Sequence, residues 1–146
     1  MEIEIRDAVF ADLNPALKLD REAFGPDSWT MLDYLWTFSE RSVRKYSAFA
    51  DGKFAGFACM EFDTDEQAAC LMTIAVVPEF RRHGIAARLL AACESAFKGK
   101  DYYLCVDIEN AAAIGFYVKS GYAANGVIHS YYMNGHDALV MIKEAS

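Results

Sequence analysis

Basic residues are scarce in this chain. It has 14 Lys and Arg against 21 Asp and Glu, for a net charge of −7. That excess of acid argues against nonspecific nucleic-acid binding, which rests on neutralising phosphates with Lys and Arg. It permits a cationic substrate. No apolar run approaches the roughly 20 residues needed to cross a bilayer. The start, "MEIEIRDAVFADL", is acidic and alternating, so it does not read as a secretory or transit peptide. No membrane association and a cytoplasmic location are therefore expected. The four cysteines, Cys59, Cys70, Cys93 and Cys105, form no CxxC pair and have no histidine at ligand spacing. Each falls in an apolar run, so buried reduced thiols and no metal are expected. Internal repeats, linkers and low-complexity tracts are also missing.

What is present is a globular composition, 54% apolar and 24% charged over 146 residues. It predicts a single domain over residues 1–146 with a core of its own. "IEIRDA" alternates and predicts a first strand, Ile3 to Arg6. Asp12 is placed to cap a helix from Leu13 to Phe24 with an apolar stripe of Leu13, Leu17, Leu19 and Phe24. "GPDSWT" breaks it, and helical spacing resumes from Trp29 to Glu40 through Leu32, Leu35 and Trp36. Two β-rich runs joined by Asp51-Gly52 predict a hairpin. "DTDE" makes the next turn. "QAACLMTIAVV" then reads as a central strand ended by Pro78, which cannot donate to a sheet ladder. A helix from Gly84 to Phe97 follows, burying Leu89, Leu90, Cys93, Ala96 and Phe97. "YYLCVDI" is a strand with Cys105 and Asp107 on one face. A helix capped by Asn110 and closed by Gly121 comes next. Two strands finish the chain, about Ala123 to Tyr132 and Ala138 to Lys143, joined around "MNGHD". The mixture of hairpins and helices predicts a mixed α/β or α+β sheet.

Two segments carry candidate chemistry. In "VVPEFRRHGIAARLL" a strand stops, a short turn carries Arg81 and Arg82, and Gly84 opens a helix. Such a turn leaves backbone N–H groups free at the positive end of the helix dipole, an anion site to which two arginines add charge. In the second segment, Asn110 and Tyr117 stand about two turns apart on one helix and point roughly the same way.

Arg81-x-x-Gly84-x-Ala86 resembles the Q/R-x-x-G-x-G/A signature of the GNAT acyltransferases, preceded by an "IAV-x-P" strand end at Ile74 to Pro78. Asn110, Ala113, Tyr117, Gly121 and Tyr122 are similar to that family's second signature, N-x-x-A-x-x-x-Y-x-x-x-G-F/Y. Within the superfamily, "ENAAAIGFYVKSGY" and "SYYMNGHDALVMI" are similar to RimI-type enzymes, which acetylate protein N-termini. The resemblance implies a GNAT fold, a mixed sheet of about six or seven strands flanked by about four helices. It implies acetyl-CoA as cosubstrate, held at Ile74, Ala75 and Val76 along the pantetheine arm. Arg81, Arg82, His83, Gly84, Ile85, Ala86 and Ala87 would hold the pyrophosphate, and Asn110 would bond the cofactor. Tyr117 would be the general acid at the sulfur; a phenol with an ordinary pKa near 10 stays protonated at neutral pH. Tyr131 and Tyr132 would line the peptide entrance, or form a strand pair with one ring buried. His136 and Asp137 read as turn residues. A monomer or homodimer is expected.

One position departs from the pattern. RimI-type enzymes place a glutamate base five residues before the motif asparagine, and here that position is Cys105. A thiol near 8.5 is a poor base. Asp107 on the same strand face is the first substitute, with Glu109 and Glu61 as others. An α-amine near 7.8 is roughly a third neutral at pH 7.5, whereas a lysine near 10.4 is neutral about one part in a thousand. A missing base therefore weakens a lysine substrate more than an N-terminal one. The leading expectation is acetyl transfer to a primary amine, preferably a peptide α-amine. A small amine (polyamine, amino acid or amino sugar), a CoA-binding module without catalysis, and a generic phosphate-binding domain stand as alternatives.

Overall fold

The computed structural model describes residues 1–145. In chain order the strands are β1 (Ile3–Asp7), β2 (Val43–Ala50), β3 (Lys53–Asp63), β4 (Ala68–Val76), β5 (Asp101–Asp107), β6 (Ala123–Ile128) and β7 (Ala138–Lys143). The helices are α1 (Leu13–Phe24), α2 (Met31–Ser39), α3 (Ile85–Ala96) and α4 (Ala111–Lys119). All seven strands form one sheet in the order β1-β2-β3-β4-β5-β7-β6. Its neighbours are antiparallel except β4 and β5.

Strand alternation sends side chains to two cores. On one face Ala58, Met60, Leu71 and Leu104 meet Leu89, Leu90 and Cys93 of α3 and Tyr117 of α4. On the other, Phe57 and Cys59 meet Leu13 and Leu17 of α1 and Tyr34 and Phe38 of α2. Each fully buried side chain of this size contributes about 1.5–3 kcal/mol, so both faces hold the sheet. The Asp51-Gly52 hairpin forms with φ of +49° and +82°, the pair of positive values a type I′ turn requires.

Asp12 makes no cap bond to α1, since its carboxylate accepts the Val9 N–H and Ser47 Oγ at 3.0 Å each, and three further local readings change. Helix α2 starts at Met31 rather than Trp29, because Thr30 accepts the Asp33 N–H at 3.2 Å while Asp33 bonds back to the Thr30 N–H at 2.8 Å. That capping box fixes the helix start and with it the face turned inward. Tyr34, Thr37 and Phe38 are buried, whereas Leu32, Leu35 and Trp36, the expected apolar spacing, are exposed. Second, Phe24 of the expected α1 stripe is exposed and lines the cleft described below. Third, β6 stops at Ile128 instead of reaching Tyr132. Ser130 turns the chain with a φ of +50°, and Asp137 takes the Ser130 N–H at 2.9 Å, closing a loop where ladder bonds were expected.

The feature that positions a site is the parallel β4–β5 contact. It consists of three pairs, Ala68 with Asp101, Ala69 with Tyr102 and Cys70 with Tyr103, after which the strands part. On the β3 side, β4 stays paired to Val76, but its register slips there: Cys59 lies opposite Thr73 and Met60 opposite Leu71. Met72 is thus the extra residue of a bulge, which bends β4 just beyond its last contact with β5.

Candidate active site

Beyond Cys70 one edge of β4 has no strand beside it, so alternate backbone groups along Leu71 to Val76 face open space. The space is a cleft of about 1310 Å³, lined on the β4 side by Thr73 and Ile74 and on the other by Leu104, Cys105, Val106, Asp107, Asn110 and Tyr117. Ile74 reaches the cleft; Ala75 and Val76 continue the free edge to its end.

The chain leaves that edge through a 3-10 turn, Pro78–Phe80, and enters α3 at Ile85. Arg81 Nε donates to the Val76 carbonyl at 3.2 Å, tying the turn to the strand end. Arg82 and Gly84 both have positive φ, +68° and +76°. A Cβ on Gly84 would touch nothing within 4 Å, so backbone conformation rather than space makes glycine the fitting residue. Among the described residues the main-chain N–H groups from Arg82 to Ala87 have no protein acceptor, and the first helical bond runs from the Arg88 N–H to the Gly84 carbonyl at 3.1 Å. Six adjacent free donors at the positive end of a twelve-residue helix, with Arg81 and Arg82 beside them, suit a pyrophosphate. The free strand edge leading to them suits an extended amide chain. The residues present therefore fit coenzyme A.

Helix α4 supplies the other wall. Asn110 caps it by accepting the Ala113 N–H at 3.1 Å, which leaves its amide NH₂ for another partner. Tyr117 is 8% exposed and packed by Phe116 and Tyr122 at ring separations of 5.2 Å and 6.0 Å. Its hydroxyl makes no bond to a described residue yet is not sealed in, so it opens on the cleft. Burial pushes its pKa up to about 12, so the phenol holds its proton through neutral pH.

The second face of the fork, towards α1 and α2, is lined by Phe24, Trp29, Met72, Cys70, Cys105, Tyr131 and Tyr132. Two of the four cysteines are thus half-buried at a cleft, not in the core, while Cys59 and Cys93 are buried; all four are free. Burial raises the Cys105 thiol, which makes it neither a base nor a ready nucleophile at neutral pH. Asp107 also lines the cleft, but it accepts the Glu109 N–H at 2.9 Å and His136 Nδ1 at 2.8 Å. The Glu109 N–H, then His136 and Asn134, hold its carboxyl below the usual range, so it too is a weak base. Glu61 is not brought to the cleft; Ser42 Oγ donates to it at 2.7 Å on the β2 side.

Tyr131 and Tyr132 lie in the loop after β6, edge to face at 4.9 Å, rather than on a strand. Sequence reasoning missed Asp20, which is 3% exposed on α1, accepts the Trp29 N–H at 2.7 Å and lines the cleft. Burial raises its pKa against that bond. Its signal was a lone Asp on the apolar face of a helix. His136 was missed as a contact because its partners lie 27 or more residues upstream.

The comparisons with known proteins agree with this fold. Residues 8–122 match the acetyltransferase (GNAT) family. The chain is 28% identical over 154 residues to an N-alpha-acetyltransferase of Sulfurisphaera tokodaii, covering 96% of this chain and 92% of that protein. It is 35% identical over 136 residues to the [ribosomal protein bS18]-alanine N-acetyltransferase of Salmonella typhimurium, covering 89% of each. The crystal structure of the ribosomal-protein-S18-alanine N-acetyltransferase from Escherichia coli superposes with a TM-score of 0.86 at 25% identity, over 99% of this chain and 95% of that one. The chain belongs to the GNAT acetyltransferase family and is an acetyl-CoA-dependent N-acetyltransferase.

Proposed function

We propose that the chain acetylates the α-amino group of protein or peptide N-termini, by direct attack of the amine on acetyl-CoA in a ternary complex. The observation that carries this reading is the weakness of the bases that line the cleft with Tyr117. Cys105 is a protonated thiol and Asp107 is committed to His136 and the Glu109 N–H. An acceptor must then arrive with a neutral fraction of its own. An α-amine near 7.8 does so at pH 7.5, whereas a lysine near 10.4 does not.

In this reading residues 1–146 act as one catalytic domain, as a monomer or homodimer, in a reducing cytoplasm that suits four free thiols. Acetyl-CoA supplies the acyl group and a thiolate leaving group. The N–H groups from Arg82 to Ala87 hold its pyrophosphate, the Ile74–Val76 edge and Asn110 hold its arm, and Tyr117 donates a hydrogen bond where charge develops on sulfur. Tyr131 and Tyr132 wall the acceptor side.

CoA release should be followed with short peptides differing in their first residue, with an N-blocked peptide carrying one lysine, and with spermidine and free amino acids. At pH 7.5 a free N-terminus should exceed the blocked lysine peptide in kcat/KM on the order of a hundredfold, following the neutral fractions. Turnover of small amines with none of peptides would sink the N-terminal reading. A second check is Cys105→Glu. If Cys105 stands where a base acts, kcat at pH 7 should be preserved or rise by about tenfold, less than the roughly 10²–10⁴ of full general-base assistance because an α-amine is already partly neutral. A fall would show that the cleft is shaped around the smaller side chain.

A further inference from the structure

The loop from His129 to Asp137 carries both cleft tyrosines, and most of its bonds are internal. Asp137 accepts the Ser130 N–H at 2.9 Å, Asn134 accepts the His136 N–H at 2.8 Å, and Tyr132 accepts the Gly135 N–H at 2.9 Å. Its links to the rest of the protein are few. The Ile108 N–H bonds the Asp137 carbonyl at 3.0 Å, Asp27 accepts the Met133 N–H at 2.9 Å, and Asn134 reaches Asp107 at 3.4 Å. The remaining link is the His136 ring, and it is double. Nδ1 lies 2.8 Å from Asp107 and Nε2 lies 3.0 Å from Glu109.

His136 is also where the tyrosines are held. Its carbonyl accepts the Tyr131 N–H at 3.1 Å and the Tyr132 N–H at 3.2 Å. One residue thus grips the tyrosine pair with its backbone and the β5–α4 junction with its ring. Asp107 lines the cleft and Asn110, next after Glu109, caps α4. A carboxylate has no proton to offer, so a ring between two carboxylates must donate from both nitrogens.

We propose that His136 is a positioning residue, a latch that holds the Tyr131–Tyr132 wall of the acceptor site against the β5–α4 junction while its imidazole carries both ring protons. The inference rests on the N-terminal acetylation reading for its effect on acceptors, though not for the latch itself. The charged groups facing His136 are Asp107 from β5, Glu109 from the β5–α4 connection and Asp137 from its own loop, all acidic. The hydrogen bond to Asp107, with these charges, raises its pKa above the ordinary value, while Asp107 is lowered. The sign follows. The latch is complete below the ordinary histidine value and is lost as pH rises through the raised one. Its carboxylate half fails only when pH falls through the lowered Asp107 value. Once the ring is neutral, one nitrogen lone pair faces a carboxylate and half of the latch is lost, while the bonds at Asp137, Met133 and Asn134 remain.

The test is the pH dependence of KM for a peptide acceptor in wild type and His136→Gln, with imidazole NMR of the wild-type protein. In wild type, peptide KM should rise about threefold to fivefold as pH passes through the raised His136 value, the size expected for a partly exposed charged contact. In His136→Gln it should be raised by that factor at every pH, with this inflection gone. In both proteins kcat at saturating peptide and KM for acetyl-CoA should stay within about twofold. NMR should find both ring nitrogens protonated below the ordinary histidine value and a midpoint above it. Glu109→Gln, at an exposed position, should lower that midpoint without abolishing the Asp107 bond. An imidazole titrating at the ordinary value with one proton, or a KM profile the same in wild type and variant, overturns the proposal. If peptides are not acetylated at all, the N-terminal reading fails by itself, and the NMR titration still decides the latch.

Discussion

Tyr117→Phe should lower kcat about a hundredfold to a thousandfold, the range for removing one preorganised donor to developing charge, with KM for acetyl-CoA nearly unchanged. Only one oxygen is removed, and it makes no bond to a described residue, so fold stability should hardly move. The ring keeps its packing between Phe116 and Tyr122. The oxygen matters because of where it points. In the proposed reaction, amine attack on the thioester leaves charge on sulfur, and an O–H held at the cleft wall would stabilise it without reorganisation. Burial raises the phenol to about 12. A free thiol lies near 8.5, well below the phenol, so the proposed role of Tyr117 is to donate a hydrogen bond to the developing thiolate while keeping its own proton. Because the phenol keeps its proton until pH climbs through about 12, Tyr117 should add no inflection to the kcat profile below pH 10. Steady-state kinetics at saturating peptide check this; an unchanged kcat removes Tyr117 from the chemistry.

The second large effect is expected far from the cleft floor. Gly56→Val should destabilise the protein by about 3 kcal/mol, the upper part of the range for overpacking, and lower Tm on the order of 8 °C. Gly56 sits on β3 where α3 crosses it. A Cβ there would lie 2.9 Å from the Ala75 carbonyl oxygen and 3.2 Å from Leu89 Cδ1. Leu89 is wholly buried and can yield little; the Ala75 oxygen is backbone. Something must shift, and what shifts is either the β4 strand end or α3. Both carry groups proposed to bind the cofactor, so KM for acetyl-CoA should rise along with the loss of stability. Thermal unfolding by circular dichroism and KM measurements check the pair of effects. A Tm within about 1 °C of wild type, well inside the shift per kcal/mol for a chain of this size, would mean that α3 is not seated by that glycine.

Much of this architecture was legible in the residues because its signals are local. Helix α1 occupies Leu13–Phe24 as expected, and the Asp51-Gly52 hairpin and Asn110 cap form where their turn and capping chemistry places them. Thr30-x-x-Asp33 was also a local signal, a capping box that would have moved the α2 start and turned its buried face to Tyr34 and Phe38. What could not be read were features that depend on distant pairing. The fork needs both the Met72 bulge and the point where β4 and β5 part, and neither leaves a periodic trace. The Tyr131–Tyr132 loop was read as strand from its apolar β-rich run, while its actual course is set by Asp137 and by His136 reaching back to Asp107. Cys105 was visible as a departure in the sequence; its neighbour's commitment to a histidine 29 residues away was not.

The brevity of the β4–β5 contact has a thermodynamic consequence. Three residue pairs at one end join two half-sheets, helped by Glu94, which takes the Tyr122 hydroxyl and the Lys143 ammonium at 2.8 Å each, and by Tyr102 on the Glu94 carbonyl at 2.9 Å. These staples lie on one side of the opening; at the other side no ladder joins the halves, and the Asp27–Met133 bond at 2.9 Å crosses the cleft there. A ligand bonded to both walls does the work of the missing strand pairs. If acetyl-CoA bonds both walls as proposed, its binding energy adds to the cohesion of the two half-sheets, and saturating ligand should raise Tm.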